Sequence, residues 1–322
     1  MMKTIFGSYV LFFGMAIFLS GCREPKEYAI QNELKPTTFA ELVSMSAEDV
    51  ERVDIGRLNL ICAAEALKPE TFDIEHCLEK LDKWAELSRK EEQRFRKSYE
   101  RNPARYDNSY AKFKAINLVL TIKEDFKCRY QMELVRSGVM ADIHSPAFFR
   151  NPYDVFIPGL LERRRGTCSS YPVLIAALGR RLGYPIYLKA TAGHLFCVWD
   201  DGVETFNIDT NGEGVDTPSD EHYFKERLYG VSNLNKSQLY DERFMMPLNN
   251  WDSLGNFIET VGYCHEARGR MKDAIEYYNV ARKFRPNAKN LGRLASRKVV
   301  PKELFDHVNE VIREAKERNK NM

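Results

Sequence analysis

The sequence predicts an α+β protein with an all-helical N-terminal unit, a mixed core and a helical C-terminal region. Three observations carry this. Apolar residues recur at helical three and four spacing from Thr38 to about Gly138, a helix flanked by short strands follows Pro152, and small residues return at repeat-like spacing from Phe257 to Pro286. The chain has 322 residues, of which 44% are hydrophobic and 12% aromatic, enough to bury a sizeable core. Lysine and arginine (48) nearly balance aspartate and glutamate (46), so nothing in the charge argues for a nucleic-acid partner.

The first stretch reads as a targeting signal. Lys3 precedes a mostly apolar run from Ile5 to Leu19, followed by Leu19-Ser20-Gly21-Cys22. That run is short for a permanent bilayer span, and small residues ahead of a lone cysteine suit signal-peptidase cleavage with lipid attached to Cys22. Residues 1–21 are therefore expected to be a lipoprotein signal peptide, and residues 22–36, polar and carrying Pro25 and Pro36, a tether. Multiple acyl chains would hold the mature protein on a membrane. Arg23, rather than aspartate, follows the cysteine, which favours the periplasmic face of an outer membrane, with the cell surface as the alternative.

Residues 37–145 form the helical unit, with helical patterns in AELVSMSAEDVERV, GRLNLICAAEAL, IEHCLEKLDKWAELSRKEEQRF and AKFKAINLVLTIKEDF. Cys62 and Cys77 flank the KPETFD turn of an expected helical hairpin, where either a bridge or two reduced core thiols would fit. Residues 146–250 form the mixed core. PVLIAALGRRLG reads as a helix, PIYLKAT, HLFCVWD and ETFNIDT as strands, and 217–250 as turn-rich. In residues 251–322, Gly262, Gly269, Ala274, Tyr278, Ala281 and Pro286 fall at the spacings of a tetratricopeptide repeat, and the helix after Pro301 would be a neighbour or a cap. A single repeat suits docking on its own chain, with a protein partner as the alternative.

The chemistry concentrates in the core. In RRRGTCSSYPVLIAALGRRLGYP, Cys168 stands at the start of an apolar helix with Pro172 in its first turn. Free backbone N–H groups and the positive helix end favour a thiolate there. His194 opens the strand HLFCVWD and Asp209 ends the strand ETFNID, so neighbouring strands would bring the carboxylate to the imidazole ring. Asn207 shares the face of Asp209 and is the backup orienting group. The Cys168 amide is one expected oxyanion donor, and Asn151 and Tyr153 are candidates for the second. Arg163, Arg164 and Arg165 read as a solvated face, or as binders of a substrate carboxylate. Phe196, Val198 and Trp199 read as core, and Tyr277, Tyr278 and Phe284 as repeat packing.

The Cys168, His194, Asp209 order resembles the transglutaminase-like superfamily, and the layout is similar to its SirB-type bacterial branch. LNLICAAEAL, LDKWAELSR, the GTCSSYPVLIAALGRRLGYP block, AGHLFCVWDDG, FNIDTNG and the repeat carry the likeness. The resemblance implies a papain/transglutaminase-like core, no cofactor, and a triad of Cys168 as nucleophile, His194 as base and Asp209 as orienting group. The expected activity is acyl transfer from a peptide or protein amide, with hydrolysis preferred over transfer to an amine. The alternatives are a catalytically inert binding scaffold on the same architecture, and a zinc site. The latter lacks a short-spaced ligand pair, so no metal is expected.

Overall fold

The computed structural model describes residues 33–131, 146–210, 215–225 and 231–288. The signal, Cys22, most of the tether and the helix expected after Pro301 lie outside the described residues. The chain is of mixed helix and sheet, as the sequence predicts. Among the described residues, no helix is long and apolar enough to cross a membrane.

The N-terminal helices start where a capping side chain meets an apolar stripe. They are α1 (Phe39–Ser44), α2 (Ala47–Glu51), α3 (Ile55–Leu67), α4 (Ile74–Arg101) and α5 (Tyr110–Leu120). Asp54 caps α3 by accepting from the Arg57 amide at 2.9 Å, and Asp73 caps α4 by accepting from His76 at 3.0 Å. In α4 the buried positions are Cys77, Leu78, Leu81, Trp84, Ala85 and Ser88, one stripe of a helix whose other face is solvated. α3 is buried nearly all round, which places it at the centre of the helical layer. Cys62 and Cys77 are buried and unbridged.

The expectation of helix throughout 37–145 needs correction. Lys127 adopts a left-handed φ of 57°, which ends the helical run after Phe126 and turns the chain into a short strand, β1 (Arg129–Tyr130). Beyond the short helices α6 (Pro146–Phe149) and α7 (Pro152–Val155), the chain reaches β2 (Arg165–Gly166), which pairs in parallel with β1. The Arg129 amide donates to Arg164 O at 2.7 Å and the Gln131 amide to Gly166 O at 2.9 Å.

The core helix α8 (Tyr171–Arg181) is buried from Tyr171 to Arg180. One side packs on α3 and α4, where Arg181 donates to Asp54 at 2.8 Å and to Asp82 at 2.7 Å. The other packs on an antiparallel sheet of β3 (Ile186–Ala190), β4 (Leu195–Asp200) and β5 (Thr205–Ile208), edged by β6 (Pro247–Leu248) in the order β5-β4-β3-β6. Phe196, Val198 and Trp199 are core residues, as expected. β6 lies in the stretch that sequence patterning leaves unassigned; a two-residue edge strand beginning at a proline gives no alternation to read. The same stretch holds α9 (Asp220–Lys225) and α10 (Lys236–Asp241).

The C-terminal helical pair is α11 (Asn250–Ala267) and α12 (Met271–Phe284). It opens earlier than Phe257, because Asn249 caps α11 by accepting from Asp252 at 2.8 Å. A Cβ on Gly262 would stand 2.4 Å from a Tyr278 ring carbon, so glycine permits the helices' close approach. Ala274 and Ala281 are fully buried between them. α11 also lies on α3, and the Tyr277 hydroxyl donates to Glu65 at 2.8 Å. The pair is thus docked on the N-terminal helices of its own chain.

Candidate active site

Cys168 sits in the turn that feeds α8, where Thr167 O accepts from the Ser170 amide at 3.1 Å and the Tyr171 amide at 2.9 Å. Pro172 falls in the first turn, where it forfeits no needed donor. His194 immediately precedes β4, and Asp209 immediately follows β5. Pairing of Cys197 with Ile208 puts those two strand ends side by side. Cys168 is 5% exposed, His194 8% and Asp209 5%.

The three side chains meet. His194 Nε2 lies 2.8 Å from Asp209 Oδ2, and the ring also hydrogen-bonds the Cys168 side chain. With Nε2 on the carboxylate, Nδ1 is the ring nitrogen that can take the thiol proton. Burial works against charge on His194, but the Asp209 carboxylate and then Cys168 outweigh it and raise the imidazole to about 10. Burial likewise pushes Asp209 up, but the imidazolium, the Tyr223 hydroxyl at 2.8 Å and the Thr210 amide at 2.7 Å hold its carboxyl below the usual range. The arrangement holds an imidazolium beside a sulfur in a water-poor pocket.

Asn207 is engaged elsewhere. Its Oδ1 accepts from Lys189 at 3.2 Å, and its Nδ2 donates to Asp220 at 2.8 Å and Pro218 O at 2.9 Å. Asp209, not the backup residue, takes the imidazole.

Sequence reasoning missed two tyrosines. Tyr223 sits on α9 in the stretch it left unassigned, stacked on Phe196 with ring centroids 4.2 Å apart, and its hydroxyl fixes Asp209. Tyr130 is carried to Cys168 by the β1–β2 pairing, and its hydroxyl accepts from the Cys168 amide at 2.9 Å. That amide, expected to be free, is thus engaged. Burial, reinforced by the neighbouring thiol, pushes the Tyr130 phenol well above its ordinary range, so it stays protonated.

Asn151 and Tyr153, the candidates for a second oxyanion donor, stand away from the Cys168 cavity. Asn151 Oδ1 caps α7 by accepting from the Tyr153 amide at 3.3 Å, and the Tyr153 ring carries the Arg163 guanidinium 3.5 Å from its centroid. Neither lines the cavity beside Cys168. Arg164 lies over Trp84 at 4.5 Å, and none of Arg163, Arg164 and Arg165 borders that cavity.

A cavity of about 140 Å³ opens beside Cys168, Ser169 and His194, and runs between the β3–β4 connection and α11. The other described cysteines are poor competitors as nucleophiles. Burial pushes the thiols of Cys77, Cys128 and Cys264 up to about 12 and those of Cys62 and Cys197 well above the ordinary range. Among the described residues, no three His, Cys, Asp or Glu side chains form a group that could hold a metal ion. Comparison with known proteins finds no matching family model, no matching curated protein and no matching solved structure.

Proposed function

We propose that this chain is a thiol acyl-transfer enzyme of transglutaminase-like type, held on a membrane through lipidated Cys22. The observation that carries the reading is the buried contact of Cys168, His194 and Asp209, with the imidazole fixed at 2.8 Å from its carboxylate. In the proposed reaction the Cys168 proton already rests on His194, and the sulfur of this thiolate–imidazolium pair attacks a peptide or glutamine-type carbonyl. The tetrahedral intermediate collapses as His194 protonates the departing amine, leaving a thioester. Water then releases the acid, and His194 takes and returns a proton in that step. An amine acceptor would give a new amide instead. Hydrolysis is the preferred outcome, since water needs no dedicated acceptor site. The α11–α12 pair is proposed as a tetratricopeptide-like element docked on its own chain.

Single-turnover acylation by an aryl acetate tests this without knowledge of the natural substrate. Mass spectrometry should find one acetyl group on Cys168, absent from Cys168→Ala and strongly reduced in His194→Ala. Acetylation spread over other residues, or unaffected by loss of His194, would favour the inert scaffold.

A further inference from the structure

Phenylalanines from four separate segments meet at the cavity beside Cys168. Phe148 comes from α6, Phe156 from the residue that closes α7, Phe244 from the turn after α10 and Phe257 from α11, and all four are buried. They border the same space as Cys168 and His194. Making a thioester requires the thiol and the imidazole, but not this wall.

The polar groups of the lining bond chiefly to one another. Arg285 donates through Nη1 to Glu259 at 2.7 Å and Asn256 at 2.8 Å, and through Nη2 to Glu242 O at 2.7 Å. The other Glu259 oxygen accepts from the Tyr263 hydroxyl at 2.6 Å. The Glu242 and Glu259 carboxylates stand against the Arg285 guanidinium and the His194 imidazolium, so charge on this wall balances. An ammonium or carboxylate entering the cavity would lose its hydration and upset that balance, whereas an apolar group gains by leaving water. Size sets the second constraint. A volume of about 140 Å³ is small beside the roughly 300 Å³ at which pockets begin to hold whole ligands, so one side chain is the natural occupant. An apolar cavity of about 150 Å³ accommodates a benzene ring.

We infer that this cavity is a specificity subsite for an uncharged apolar side chain of phenylalanine size, carried by the peptide residue whose carbonyl Cys168 attacks. This rests on the thiol acyl-transfer reading. It narrows the acyl donor to a peptide with an apolar residue at the reacting carbonyl, and it gives α11, which supplies Phe257 and Thr260 to the lining, a role in substrate choice.

The test uses chloromethyl ketones of acetylated phenylalanine, alanine, lysine and glutamate on the purified full chain, with Cys168 alkylation followed by mass spectrometry. Each rate is divided by that of the same probe with a free thiol in solution. The phenylalanine probe should exceed alanine by on the order of tenfold or more, the increment expected when apolar groups enter a fitted pocket. Lysine and glutamate, which match or exceed alanine in bulk but bring a charge, should stay well below phenylalanine. Thr260→Leu, which adds bulk to the lining, should lower the phenylalanine-to-alanine ratio several-fold. Should Thr260→Leu not fold, the wild-type ratios decide. A phenylalanine-to-alanine ratio near one, a charged probe as fast as phenylalanine, or a folded Thr260→Leu protein with an unchanged ratio would overturn the subsite while leaving the thiol chemistry standing. Iodoacetamide labelling of Cys168 that ignores His194→Ala would instead overturn the thiol reading and the subsite with it.

Discussion

Replacing Asp209 with asparagine removes the charge that fixes His194 while leaving a side chain of nearly the same shape. In the wild type the imidazole is raised to about 10, so it is fully protonated at pH 7.5. Without the carboxylate, a ring returned to its ordinary value near ~6.5 would be protonated to only about a tenth at that pH. The imidazolium partner of the thiolate then falls about tenfold, equivalent to roughly 1.4 kcal/mol. Burial opposes the charge on His194, so tenfold is the smaller end of the expected loss. At pH 6 about three quarters of an ordinary imidazole is still protonated, so the loss should be several-fold smaller there than at pH 7.5. Iodoacetamide labelling of Cys168, followed by mass spectrometry at both pH values, reads this directly. The buried cysteines, with Cys77, Cys128 and Cys264 held up to about 12, provide internal references. A folded Asp209→Asn protein that labels at the wild-type rate at pH 7.5, or loses the same factor at pH 6, would refute the reasoning.

Four further outcomes are expected. Tyr130→Phe should speed acylation of Cys168 by an aryl acetate about fivefold relative to alkylation, because a carbonyl oxygen no longer competes with the phenol for the Cys168 amide; a slower acylation counts against this. Gly262→Ala should destabilise the protein by roughly 1–3 kcal/mol, since the new methyl group meets the buried Tyr278 ring, and an unchanged Tm would contradict the close helix approach. His194 titrates above its unfolded value, so its stabilising contribution is whole below about pH 6.5 and fades as pH rises through about 10. Asp209 titrates below its own, so its contribution fades only in acid. The Tm gap between wild type and His194→Ala should therefore be widest near about pH 5–6 and narrow toward pH 10, by calorimetry. Cys22→Ser should block processing or release the protein from membranes on fractionation, and a wild-type chain found wholly soluble with another N-terminus would remove the anchor.

Much of the framework is legible in the chain because it rests on short-range patterning. The α4 stripe and the small residues of the α11–α12 contact are periodic, so they can be read off directly. Cys168, His194 and Asp209 are legible for a related reason: each stands at an element boundary marked by glycine, proline or a change of pattern. Tyr130 is different. Its place beside Cys168 depends on a two-residue parallel pairing between segments far apart in sequence, and nothing local to KCRYQ announces it. Tyr223 and Glu242 fall in the turn-rich stretch, where no period exists to assign a face. Arg285 carries no local sign that it reaches a cavity beside Cys168, because that depends on how α12 packs against the rest of the chain.

The buried Arg180 ties three regions of sequence into one knot. It donates to Ile186 O at 2.9 Å and to the Asn250 carboxamide at 2.5 Å, and Asn250 in turn donates to Val53 O at 2.7 Å. Residues 146–250 excised alone would keep Cys168, His194 and Asp209 but lose Val53, the Tyr130 lid on the Cys168 amide and the α11 wall of the cavity. The smallest fragment that keeps the candidate site's surroundings is accordingly larger than the segment that bears its three side chains. An insertion tag or a cleavage site placed between the helical pair and the sheet would cut through the packing around the candidate site, whereas one placed ahead of the first helix would leave that packing untouched.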